Sequence, residues 1–176
     1  MNINQMRTID KLAGIPICAL LSLVRRFLVL FSGPRPVSPP RRILFIEMSE
    51  MGSMVLAYSM LMKAETLFPG SDFFFLTFHN NRYAVDVLKK IPKDHVVTID
   101  PSSPYTFLTS ALSAVRRLRR LQLDAVVDME LFSRFSAILS FLCGARIRSG
   151  FYSYHQEGLY RGSFITHPVQ FNPHLH

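Results

Sequence analysis

Residues 42–56, RILFIEMSEMGSMVL, decide the fold. Ile43–Met48 is a short apolar run that reads as a buried strand. The polar, glycine-bearing loop Ser49-Glu50-Met51-Gly52-Ser53 follows, and from Ser53 to Phe68 the pattern turns helical until Pro69-Gly70 ends it. The same strand–helix alternation continues downstream. Strands are predicted at Asp72–Phe78, His95–Ile99, Asp124–Asp128 and Arg146–Phe151. The intervening helices are Arg82–Ile91, Pro104–Leu121 and Phe132–Cys143, the last closed by Gly144. Strict alternation of apolar strands with helices predicts an α/β fold, a doubly wound parallel sheet with right-handed crossovers.

Upstream, Ile15–Phe31 is apolar apart from Arg25 and Arg26. A spanning helix needs about 20 apolar residues with few charges, so the run does not qualify. On a helical wheel Ser22, Arg25 and Arg26 share one face and apolar residues cover the rest. This is the pattern of an amphipathic helix in a membrane interface, its basic side toward lipid headgroups, or of a helix packed on the domain or on a partner. Residues 32–42 hold four prolines with Arg35, Arg41 and Arg42 and read as a semi-rigid linker. The domain reading is therefore 1–31 helix, 32–42 linker and 43–176 α/β domain.

Over 176 residues, 49% are apolar and 18% charged, which supports a packed core and excludes disorder. The net charge of +8 suits phosphate-rich partners. Two well-separated cysteines, Cys18 and Cys143, exclude a disulfide framework and any multi-cysteine metal site. The six histidines are scattered, and the His174/His176 spacing lacks supporting ligands, so no metal is expected. Arg116, Arg117, Arg119 and Arg120 cluster at a helix end, but no aromatic platform accompanies them and no nucleic-acid partner is expected.

Ligands of such sheets sit beyond the carboxyl ends of the strands, where strand order reverses. With the usual order the first and fourth strands are neighbours there. Their tips bring Ser49, Glu50, Gly52 and Ser53 to face Asp128 and Glu130 across one crevice. The loop amides make an anion cradle, or Gly52 simply turns the chain and Ser53 caps the helix. Asp128 and Glu130, two apart at a strand end, suit general-base work or bonding to backbone amides of the next helix. Buried Glu47 needs a partner such as an arginine; Arg134 supplies one or binds phosphate. Neither a dinucleotide fingerprint nor a P-loop occurs.

Residues 42–56 together with Leu123–Glu130, Arg134, Ser136 and the segment Gly144-Ala145-Arg146 to Gly150-Phe151 resemble glycosyltransferase family 9, the ADP-heptose:lipopolysaccharide heptosyltransferases. Ile9-Asp10-Lys11 to Gly14-Ile15-Pro16 is similar to a subgroup of them. The resemblance implies the Rossmann-like, acceptor-side N-terminal half of a two-domain GT-B enzyme, with the donor-binding half absent. It implies an inverting transfer of a sugar such as heptose from a nucleotide-sugar to a lipid-linked acceptor, without metal or other cofactor, at the cytoplasmic face of a membrane. Where the family carries its catalytic aspartate this chain has Ser53, which cannot act as a base at neutral pH. The expected bases are Glu50 or Glu130, with Ser49, Gly52, Ser53, Asp128 and Arg134 holding acceptor or phosphate. The alternative is a degenerate, non-catalytic module that binds glycolipid or a partner protein.

Overall fold

The computed structural model describes residues 3–31, 38–48, 51–131, 133–152 and 160–170, without the side chains of 3–7 and 51–56. Two helices, α1 (Ile3–Leu12) and α2 (Gly14–Leu30), precede the sheet. Six strands and four helices then alternate: β1 (Arg42–Ile46), α3 (Met51–Leu67), β2 (Asp72–Phe78), α4 (Arg82–Leu88), β3 (Val96–Ile99), α5 (Pro104–Arg120), β4 (Ala125–Asp128), α6 (Arg134–Leu142), β5 (Ile147–Tyr152) and β6 (His167–Gln170). The strand order is β3-β2-β1-β4-β5-β6, and every pairing is parallel. This is the doubly wound sheet expected from the alternation, with its order reversing between β1 and β4.

Alternation along the strands builds two cores, one on each face. Leu44, Ile46, Phe74, Leu76, Val97 and Val126 pack under α5 and α6. Ile43, Phe45, Phe73, Phe75, Val96 and Ala125 pack against α3 and α4. Strands covered on both faces read as continuous apolar runs, which is why the pattern was legible.

Local chemistry sets the helix ends. Ser103 and Thr106 form a reciprocal capping box at the start of α5, with Pro104 in the first turn. Gly144 takes φ +86° just past α6, a left-handed turn that favours glycine. Lys89 takes φ 50° and stops α4 at Leu88, three residues short of the expected end. Helix α3 starts at Met51, so Gly52 lies in its first turn instead of the preceding loop.

Strand β6 was not expected. His167-Pro-Val-Gln170 is four residues long, fully exposed and contains proline, which is tolerated because the strand lies at the sheet edge.

Helix α2 packs on the domain, turning Ser22 fully and Arg25 partly inward while Arg26 stays exposed. Gly14, Cys18 and Ser22 are buried on α2, and Cys18 joins Ala137, Ile138 and Phe164 in a third apolar cluster with α6. Ser22 Oγ accepts from the Ser163 N–H at 2.8 Å, and Arg25 donates to the Ser163 carbonyl. A Cβ on Gly14 would lie 2.8 Å from Arg134 Cδ, so the small residue permits the close approach of α2 to α6.

Candidate active site

The crevice edge is built where β1 and β4 run side by side, Ile46 against Asp128. Met48, the last described residue before the loop, is held from two sides. Its N–H donates to Glu130 Oε1 at 2.7 Å. Its carbonyl accepts from Asn81 Nδ2 at 2.5 Å. Glu130 comes from just past the tip of β4, and Asn81 from a 3₁₀ turn, His79–Asn81, that follows β2. Three neighbouring strands thus fix the point from which the chain enters the loop. Backbone hydrogen bonds from Glu47 N–H to Leu76 and from Met129 N–H to Ile46 extend the ladders to this edge.

Beside the tip of β4 lies a buried ionic cluster. Asp128 is 3% exposed and Arg161 1%. The Arg161 guanidinium pairs with Asp128 Oδ2, donates to Ser136 Oγ at 2.7 Å and reaches the Glu130 carbonyl at 2.9 Å. Ser136 Oγ donates to Asp128 Oδ2 at 3.0 Å, and the Glu130 N–H donates to Asp128 Oδ1 at 3.1 Å. A buried carboxylate is tolerable only with such partners. Burial pushes the Asp128 carboxyl up to about 6, opposed by the Arg161 charge and the Ser136 hydrogen bond.

Arg134 stands at the start of α6 and is 7% exposed. Its guanidinium donates to Asp10 Oδ2 at 3.2 Å and to the Tyr160 carbonyl at 2.9 Å. Asp10 Oδ1 also accepts the backbone N–H groups of Arg134 and Phe135, both at 2.9 Å. Arg134 is therefore paired with Asp10 from α1. Asp10 supplies a carboxylate to the N-terminus of α6, where the helix dipole favours negative charge.

The structure thus brings Glu130, Asp128 and Arg134 together at one end of the sheet. It places the backbone of Gly52 and Ser53 in the first turn of α3, whose amides lack intrahelical partners. Ser49 and Glu50 lie outside the described residues, as does the side chain of Ser53. Arg161, Asn81 and Asp10 were missed. The rule that a buried acid needs a partner, applied to Glu47, led to Arg134, and no spacing connects Arg161 with Asp128. No group of three or more metal-ligating side chains occurs among the described residues. His155, His174 and His176 are outside that set.

The fold has precedents among solved structures. E. coli ADP-heptose lipopolysaccharide heptosyltransferase II superposes with a TM-score of 0.58 at 16% identity, covering 74% of this chain and 35% of that one. A family 9 glycosyltransferase from Veillonella parvula gives 0.62 at 14% identity, covering 80% and 38%. E. coli heptosyltransferase WaaC, solved with ADP-2-deoxy-2-fluoro heptose, gives 0.60 at 17%, covering 77% and 44%. This chain has the heptosyltransferase-like fold. It spans 35–44% of the length of those structures. No protein-family model and no curated protein matches the sequence.

Proposed function

We propose that this heptosyltransferase-like domain is the acceptor side of an inverting glycosyltransferase that moves a sugar from a nucleotide-sugar to a lipid-linked glycan at the cytoplasmic face of a membrane. The observation that carries the reading is the clamp on Met48, which spends a buried carboxylate and an amide on fixing one loop at the switch point of the sheet. Such precision suits a loop that must position a reacting group.

In the proposed step the Glu50 carboxylate takes the proton of the acceptor hydroxyl, and that oxygen attacks the anomeric carbon. The bond from carbon to the diphosphate oxygen breaks, and the nucleoside diphosphate leaves with the electron pair. Amides of the first turn of α3 face the developing negative charge. Glu130, already bonded to the Met48 N–H, acts by positioning the loop. Asp128 and Arg134 support it through Arg161 and Asp10. Donor binding belongs to a second half of the kind the longer relatives possess, and no metal takes part.

The test is calorimetric titration of the chain with a deacylated lipopolysaccharide-core oligosaccharide. Saturable binding that Glu50→Gln or Asn81→Ala weakens is expected, and no heat with any core fragment would refute the reading. In a form supplied with a donor-binding half, Glu50→Gln should lower turnover by about 10²-fold or more. Ser53→Ala should change it little, and Glu130→Gln, which still accepts from Met48, should fall between them.

A further inference from the structure

We infer that α2 is an in-plane membrane-docking helix whose outer face, not its polar stripe, enters an anionic bilayer. The inward stripe is Gly14, Cys18, Ser22 and Arg25, spaced four, four and three residues apart. The opposite side is apolar without interruption. Leu20, Leu23, Phe27, Leu28, Leu30 and Phe31 are all exposed, the last at 87%. A soluble surface rarely leaves so large an apolar stripe uncovered.

The end of the helix shows the same design. Val29 falls four residues after Arg25, on the inward stripe, yet is 57% exposed. Beyond Arg25 the helix has outrun the body of the domain. From there to Phe31 it extends about 9 Å along its own axis, adding apolar surface that the domain does not cover. No helix among the described residues is long and apolar enough to cross a membrane.

Charge selects the occupant. Arg26 flanks the apolar arc and is exposed, and Arg41 and Arg42 are exposed where the chain rejoins the sheet. Two copies meeting through α2 would bring these cations together in a protein of net charge +8, whereas anionic headgroups neutralise them. Helix α2 runs beside α6, and Gly14 abuts Arg134 next to the crevice edge. Docking through α2 therefore lays the strands along the bilayer, with the crevice opening sideways about one helix diameter, ~10 Å, above the headgroups. Given the proposed acceptor, that is the height of its first sugars.

The test is co-sedimentation of the full chain with phosphatidylcholine vesicles containing about one-third phosphatidylglycerol. The wild type should pellet with them. The double substitution Leu23→Ser/Phe27→Ser should weaken partitioning by about tenfold or more. Leu108→Ser/Leu112→Ser, at exposed sites on α5, should leave it unchanged; circular dichroism checks that both variants fold. The proposal is overturned if the wild type stays in solution, or if the α2 variant pellets equally well. It is also overturned if the wild type elutes as a dimer that the α2 variant splits while vesicles bind neither. The variant should still bind the deacylated oligosaccharide, so loss of docking and failure of the sugar-transfer reading are separable.

Discussion

At the scale of single residues, the most consequential pair is Asp128 with Arg161. Both are sealed from water, and the pair holds Ser136 and the Glu130 carbonyl in place. Replacing one partner leaves an uncompensated buried charge, so Asp128→Asn should cost about 3–5 kcal/mol at neutral pH, measured by denaturant unfolding. The cysteines make a second expectation. Burial pushes the Cys18 thiol up to about 11, and burial also raises Cys143. Since the thiolate is the reactive form, at pH 8 roughly one Cys18 in a thousand is ionised. Both thiols should resist an aromatic disulfide reagent until the protein unfolds; rapid reaction of the native protein would contradict their burial. At this scale the sequence disclosed candidates but not partners. Glu130 and Asp128 were found as strand-end acids, while Asn81 and Arg161 were not, because their pairing depends on chain crossings that no local spacing records.

At the scale of elements, α6 depends on groups outside itself. Its first turn is capped by Ser133, whose Oγ accepts from the Ser136 N–H at 3.3 Å, and by Asp10 reaching across from α1. Asp10→Ala should destabilise the protein by about 1–2 kcal/mol in thermal or denaturant melts. The central strands carry more. Phe75 is wholly buried on β2 between α3 and α4, and Phe75→Ala should cost about 3–5 kcal/mol in the same measurement. Elements with long apolar periods were legible in advance, including five of the six strands, β1 to β5. The edge strand β6 was not, since a proline in an exposed four-residue segment gives no periodic signal. Helix α2 was legible as a helix but not in its orientation. A wheel sorts residues into polar and apolar, whereas packing against α6 selects small ones, and Gly14, Cys18 and Ser22 are small before they are polar.

At the scale of the whole molecule, the parallel sheet followed from strand–helix alternation, and the adjacency of β1 and β4 from the usual order of such sheets. The likeness to heptosyltransferase structures agrees with that derivation at identities of 17% and below, where fold outlasts side-chain detail. The domain then combines two surfaces: a crevice edge clamped at Met48 and an apolar helix beside it. The central claim is that the crevice edge receives a sugar acceptor. Hydrogen–deuterium exchange of the chain with and without a deacylated core oligosaccharide tests it directly. The expected result is added protection confined to amides in residues 48–55 and 128–133. Protection at the opposite end of the strands, near Arg42 and Ile147, or none anywhere, would contradict the account.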